Sequence, residues 1–294
     1  MLSFDHNESL DEARARNIRD ALAEDIGVAD WTGRLAPAGE RVRARVIVRE
    51  TAVLCGRDWF AGCLLALDPR ATIRWHQDEG ADMLADSEVC HIEADARALL
   101  AAERPALNFL QLLSGTATIT RQFARAVDGA SPRPRGCAVL DTRKTVPGLR
   151  LAQKHAVRVG GGQNQRLALY DGILIKENHI AAAGGVAAAL RTAQALVASE
   201  APEVGIQVEV ESIEQLVEAL EAGATSVLLD NFSFGRMREA VAVTADRALL
   251  EVSGGVGLEQ LRAIAATGVD RISVGKLTKD VRAVDFSMRV IEVV

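Results

Sequence analysis

Asp141-Thr142-Arg143-Lys144-Thr145-Val146-Pro147-Gly148-Leu149-Arg150, then Gly160-Gly161-Gly162-Gln163-Asn164-Gln165-Arg166, then Ile175-Lys176-Glu177-Asn178-His179 carry the densest information in this chain. Fixed cations alternate there with apolar, strand-like runs. From residue 137 onward one pattern recurs: a short apolar run ends in a polar or glycine residue and a helix follows. It is seen at Ala138 to Leu140 before Asp141, Gly172 to Ile175 before Lys176, and Ile206 to Val208 before Glu209. It returns at Ser226 to Leu229 before Asp230, Leu249 to Val252 before Ser253, and Arg271 to Val274 before Gly275. Strands alternating with helices imply a parallel sheet. Polar residues at every strand's carboxyl end fit a β/α barrel, whose active site lies at that face, whereas an open doubly wound sheet gathers its ligand at one switch point. The six strands counted this way leave closure of the barrel open.

Outward from this region, the first 30 residues read as an amphipathic helix with Ala13, Ile18, Ala21 and Leu22 on one stripe, before a turn at Asp30-Trp31-Thr32-Gly33. Strands are expected over residues 43–49, 72–76 and 87–93, giving an α+β module with segregated strands and helices. From Glu103 a long apolar helix begins, with Pro105 suited to its first turn and Leu107, Leu110, Leu113 and Ala117 at helical spacing. A domain boundary is expected near residue 115, between an N-terminal module over 1–115 and a β/α domain over 116–279.

The 294 residues suffice for one large or two unequal domains, and 49% apolar with 25% charged residues is ordinary for a folded enzyme. Only 4% are aromatic and the net charge is -6, which disfavours a nucleic-acid partner. The N-terminal 20 residues are polar, and no run approaches the roughly 18 apolar residues of a membrane helix. A cytoplasmic protein with no membrane partner is expected. Cys55, Cys63, Cys90 and Cys137 form no C-x-x-C pair, so they read as buried free thiols and not as a zinc or redox site.

Arg143, Lys144, Arg166 and Lys176 at strand ends suit a small ligand bearing several carboxylates or phosphates, because guanidinium forks bind planar anions in bidentate fashion. Gly160-Gly161-Gly162 has neither dinucleotide nor P-loop spacing and reads as a turn. Ser253-Gly254-Gly255, with Gly275 one βα unit later, fits a late-strand phosphate site or a tight structural turn. Glu209 and Asp230 end consecutive strands; they suit a magnesium ion shared with substrate oxygens, or serve as helix N-caps. His155 and His179 read as packing or surface residues.

These residues, with Glu24-Asp25-Ile26-Gly27, Arg104, Ala106-Leu107-Asn108-Phe109-Leu110-Gln111, Leu113-Ser114-Gly115, Val208-Glu209-Val210-Glu211, Leu229-Asp230-Asn231-Phe232 and Ser273-Val274-Gly275, resemble quinolinate phosphoribosyltransferase across nearly the whole chain. The resemblance implies an N-terminal α/β sandwich domain, an incomplete seven-stranded β/α barrel, and a C-terminal tail over 280–294 that returns to the first domain. It implies the decarboxylating transfer of a phosphoribosyl group from 5-phosphoribosyl 1-pyrophosphate to quinolinate, in NAD biosynthesis, with magnesium. Carried over by motif, Arg143, Arg166 and Lys176 hold the substrate carboxylates and Lys144 approaches the phosphoribosyl donor. Glu209 and Asp230 bind ribose hydroxyls and magnesium. Ser253, Gly254, Gly255 and Gly275 hold the 5-phosphate, and Thr142, Gln165, Val274 and Lys276 complete the substrate-binding set. Arg104 reaches a neighbouring subunit's site, which implies a homodimer with shared sites and leaves open a dimer or a hexamer.

One departure stands out. The family usually has Asn-His-Arg where this chain has Asn164-Gln165-Arg166; an amide still donates a hydrogen bond but cannot become cationic. A transferase acting on a different pyridine carboxylate, such as nicotinate, is therefore the alternative reading, and a non-catalytic ligand-binding relative is the alternative of another class.

Overall fold

The computed structural model describes residues 7–294, so the part of the expected first helix that falls on residues 1–6 lies outside the described residues. Along the chain run α1 (Leu10–Ile26), β1 (Arg41–Val48), β2 (Ala52–Val53), α2 (Arg57–Leu67), β3 (Thr72–Trp75), β4 (Asp82–Met83), β5 (Glu88–Asp95) and α3 (Ala96–Val127). Then follow β6 (Ala138–Leu140), α4 (Arg150–Val159), β7 (Gly172–Ile175), α5 (Glu177–Ala183), α6 (Val186–Glu200), β8 (Gly205–Val210), α7 (Ile213–Glu221) and β9 (Ser226–Asp230). The chain closes with α8 (Phe234–Thr244), β10 (Leu249–Ser253), α9 (Leu258–Ala265), β11 (Arg271–Ser273), α10 (Lys276–Lys279) and β12 (Phe286–Val293). Two compact units result: the described residues up to Ile119 with Thr145–Gly161 and Asp280–Val294, and Thr120–Lys144 with Gly162–Lys279.

The first unit is an antiparallel sheet in the order β12-β1-β5-β3 with helices on one face. Strand β1 alternates Val42, Ala44 and Val46 inward with Arg41, Arg43 and Arg45 outward, the period-2 pattern of a half-buried strand. On the outer face Arg45 donates to Glu88 at 2.7 Å, and Arg43 to Glu93 at 3.4 Å. Helix α1 opens with a capping box in which Ser9 and Glu12 satisfy each other's backbone N–H, and it buries Ala13 and Leu22 with Ile18 and Ala21 packed beside them. β12 pairs antiparallel with β1, so the C-terminal segment completes this sheet.

One expectation needs correction here. Helix α3 starts at Ala96, where Asp95 Oδ1 accepts from the N–H groups of Arg97 and Ala98, so Pro105 sits inside a 32-residue helix and not in its first turn. Capping by Asp95 overrides the proline signal, and the helix carries the missing N–H within its length. Residues 145–161 group by contact with the first unit, because Ala152 and Ala156 of α4 enter its core.

The second unit is a parallel sheet in the order β6-β11-β10-β9-β8-β7. Its six hydrogen-bonded strands match the number read from the sequence. The seventh strand of the implied barrel shrinks to one residue: Gln163 N donates to Val139 O at 2.8 Å, and Asp141 N to Gln163 O at 3.1 Å, a parallel bridge on the free side of β6. From there Gln165 Nε2 donates to Gln207 Oε1 on β8 at 2.9 Å. A side chain anchored beside one edge strand reaches β8, next to the other edge, only if the sheet curls round.

The interior of that curl is polar. Gln207 Nε2 donates to Glu251 Oε2 on β10 at 2.9 Å, and Ser273 Oγ on β11 donates to Glu251 Oε1. Arg271 lies 3.6 Å from Glu251 and donates to Ser226 Oγ at 2.8 Å. Glu251 is buried, and a buried carboxylate is tolerated only when its oxygens are satisfied in this way. Glu251→Ala strands the Gln207 amide, the Ser273 hydroxyl and the Arg271 guanidinium together. A loss of about 3 kcal/mol or more is expected in a urea titration; a change below about 0.5 kcal/mol would show that the network is dispensable.

Candidate active site

The carboxyl ends of the parallel strands collect most of the residues singled out from the sequence. Glu209 lies within β8, and Asp230 is the last residue of β9. The N-caps of the helices that follow are Ser212 and Ser233, whose hydroxyls accept from Gln215 N and Arg236 N. The helix-cap reading of Glu209 and Asp230 is thereby excluded. Lys176 Nζ lies 3.6 Å from Glu209 Oε2, and the Glu209 side chain is 13% exposed. Burial raises the Glu209 carboxyl above its ordinary range; Lys176 pulls it down, while Asp230 and Glu177 push it further up. Three carboxylates and one ammonium group therefore share this corner. Lys176 N also donates to His179 Nδ1 at 3.0 Å, which gives His179 a local capping role.

Beside them the β9 and β10 ends interlock. Asn231, at φ 55, donates through Nδ2 to Asp230 Oδ2 at 2.8 Å. Ser253 ends β10, and Gly254 follows at φ +106, where a Cβ would run into the Asn231 amide. Gly255 and the start of α9 follow, with exposed backbone at Gly254 and Gly255. At the end of β11, a Cβ on Gly275 would lie 3.2 Å from Lys144 Cδ and 3.7 Å from Thr142 Oγ1. Glycine is what lets Lys144 lie across that strand end. The Lys144 backbone is held by Thr278 Oγ1, which donates to its carbonyl at 2.8 Å, and by Thr142 Oγ1, which accepts from its N–H at 3.1 Å. Val274 is buried and donates its N–H to Leu140 O; Lys276 opens α10, exposed.

Gln165 and Arg166 sit elsewhere. With Gln207, Glu251 and Arg271 they line a cavity of about 440 Å³ whose other walls include Gly172, Gly205, Ser226 and Leu249, the first residues of their strands. Arg166 donates through Nη1 to Gly172 O at 3.0 Å. Burial, and then the charge of Arg143, lower its pKa, with Asp171 opposing, so two guanidinium groups lie close enough to repel. The structure thus groups Arg143 with Arg166, Lys144 and Thr142 with Gly275, and Lys176 with Glu209 and Asp230. Arg104 is exposed on α3, in the first unit.

Asp141 has a role that the sequence did not reveal. Fully buried, it accepts from Asn164 Nδ2 at 2.6 Å and from Gln165 N at 2.9 Å. Gln207 and Glu251 were also missed, although a polar residue in the middle of an apolar strand was a signal available to the sequence.

A curled parallel sheet with cations and paired carboxylates at its strand ends suits a small polyanionic ligand. Comparison with known proteins gives the family. Residues 116–289 match the C-terminal domain family of quinolinate phosphoribosyl transferase, and residues 30–114 its N-terminal domain family. The chain is 41% identical over 287 residues to the nicotinate-nucleotide pyrophosphorylase [carboxylating] of Mycobacterium leprae, covering 94% of this chain and 97% of that one. It is 40% identical over 268 residues to a probable nicotinate-nucleotide pyrophosphorylase [carboxylating] of Bacillus subtilis, covering 91% and 90%. The solved nicotinate-nucleotide pyrophosphorylase of Francisella tularensis superposes with a TM-score of 0.89 at 39% identity, over 99% of this chain and 100% of that one. This chain belongs to the quinolinate phosphoribosyltransferase family.

The direction of the Glu209 shift has a consequence for stability. Below the ordinary carboxylate pKa the group is protonated folded and unfolded alike; as pH rises through the raised folded value, charging a buried group destabilises the fold. Glu209→Gln is therefore expected to raise the melting temperature at pH 7, with the gain vanishing in acid. Equal gains at both pH values would show that ionisation is not the cause.

Proposed function

We propose that this chain joins quinolinate to 5-phosphoribosyl 1-pyrophosphate, giving nicotinate mononucleotide, pyrophosphate and carbon dioxide. The reading rests on the family and on one observation above others: the positive charge of Arg143 acts on Arg166 and lowers its pKa, a repulsion that a bound dianion would relieve. A pyridine dicarboxylate is such an anion, and its arrival would draw Arg166 from the Gly172 carbonyl. The relatives' names agree with this acceptor, and no observation favours nicotinate over quinolinate.

In the reaction the pyridine nitrogen displaces pyrophosphate at an anomeric carbon that becomes oxocarbenium-like, so positioning and charge stabilisation do the catalytic work. Lys144 would neutralise donor phosphate charge, and the backbone of Ser253, Gly254, Gly255 and Gly275 would receive the 5-phosphate. Glu209 and Asp230 would bind the ribose hydroxyls and stabilise positive charge on the sugar. The same two carboxylates fit magnesium, because their mutual repulsion is what a dication relieves, and the ion would neutralise the departing pyrophosphate. The quaternised ring then accepts the electron pair of the leaving carboxylate, which is why no further cofactor is invoked.

Release of labelled carbon dioxide tests this reading. Release is expected to require both magnesium and the phosphoribosyl donor, and Arg166→Ala is expected to lower kcat/KM for quinolinate about a hundredfold. No release from folded protein would turn attention to another acceptor acid.

We assign a homodimer in which the exposed Arg104 of one subunit serves its partner's site. Mixing inactive Arg104→Ala and Lys144→Ala chains is expected to regain activity, since one site of a mixed dimer then holds both native residues. Failure to regain it after subunit exchange is shown would refute sharing. Unpaired Cys55, Cys63, Cys90 and Cys137 agree with a reducing compartment, and we assign the cytoplasm. Among the described residues no single helix is long and apolar enough to cross a membrane.

A further inference from the structure

The first unit brings together three residues that the proposed reaction does not use. Cys55 lies in the connection between β2 and α2, Glu79 in the turn before β4, and His155 on α4. One ligand atom from each lies within 4.8 Å of the others. Cys55 is buried, while the Glu79 and His155 side chains are 29% and 25% exposed, so solvent reaches one side of the cluster.

Each residue is held in place by its own neighbours. The Cys55 backbone is clamped by Ser114, whose Oγ accepts from Cys55 N at 3.0 Å and donates to Cys55 O at 3.1 Å. Glu79 Oε1 accepts from Gly56 N at 2.7 Å, and its Oε2 from Arg57 N at 3.2 Å. The His155 ring packs on Trp59 with centroids 5.5 Å apart. Capping of α2 accounts for Glu79, and without an ion its carboxylate serves as hydrogen-bond partner to both the Cys55 thiol and the His155 ring, contacts that a bound metal would replace.

The spacing is compatible with a shared ion. His155 Nε2 and Glu79 Oε1 are 3.5 Å apart. That is long for a hydrogen bond, which prefers about 2.7–3.2 Å. It falls within the edges of about 3.3–3.8 Å of a tetrahedron built from metal–ligand bonds of about 2.0–2.3 Å. A thiol, an imidazole and a carboxylate also form the mixed donor set that suits zinc, whereas magnesium takes hard oxygen ligands.

We infer that Cys55, Glu79 and His155 form a binding site for a thiophilic divalent transition-metal ion, zinc above all, with water in the fourth position. Binding replaces the Cys55 S–H bond by a metal–sulfur bond and releases the proton to solvent. The ion ties α4 to the β2–α2 connection and to the turn before β4, all within the first unit, and so stabilises that unit. It takes no part in phosphoribosyl transfer.

Metal-free full-length protein titrated with cobalt(II), then with zinc, tests the site. One cobalt per chain is expected, with a thiolate-to-cobalt charge-transfer band in the near ultraviolet that zinc bleaches. Cys55→Ser should abolish the band, and His155→Ala should weaken zinc binding at least about tenfold. Zinc should raise the melting temperature of the native chain and not of Cys55→Ser, while magnesium-dependent turnover stays unchanged in that variant. No band, or a band that survives Cys55→Ser and therefore arises from Cys63, Cys90 or Cys137, would overturn the proposal. Should Cys55→Ser fail to fold, unchanged zinc affinity in His155→Ala would overturn it equally.

Discussion

A buried carboxylate at the end of β6 governs the second unit. Asp141 is fully removed from solvent, where an ionised carboxylate survives only if its oxygens are hydrogen-bonded. It takes those bonds from Asn164 Nδ2 and Gln165 N, and so fixes the path of the chain just beyond the triple glycine. Its own N–H donates to Gln163 O, completing the one-residue bridge that stands in for a seventh strand. Hydrogen bonds to a charged acceptor contribute about 1.5–3 kcal/mol each, enough to hold an irregular segment against an edge strand without a ladder.

From that anchor the interior polar chain follows. Gln165 reaches Gln207, Gln207 reaches Glu251, and Glu251 binds Ser273. Glu251 has only acceptors to offer, so Gln207 must present its NH2 to it and its carbonyl to Gln165. One buried charge thereby orders two amides across the curl. Gln165, the position at which this chain departs from the family's histidine, is thus part of the framework as well as a neighbour of the arginine pair.

The repeated pattern of apolar run, polar terminus and helix made the parallel strands legible, because strands buried on both faces read as unbroken apolar stretches whatever their neighbours. Elements whose limits depend on capping were read less well. Pro105 looked like a helix start, but Asp95 caps the helix upstream. Glu209 and Asp230 were ambiguous until Ser212 and Ser233 were seen to fill the cap positions. The return of α4 to the first unit was not legible, since Ala152 and Ala156 suit many partners and only packing selects one.

The sequence by itself determined the strands of the second unit, the alternating outer face of β1 and the presence of cations at the second unit's strand ends, because each is written in local periodicity or in side-chain chemistry. Tertiary structure alone decided how those groups meet. It closed the curl through Asp141, paired Arg143 with Arg166, set Lys144 over Gly275, and brought Cys55, Glu79 and His155 together although Glu79 and His155 are 76 residues apart. Residues so distant share a site only when packing has fixed the elements that carry them, and no periodicity along the chain encodes that distance.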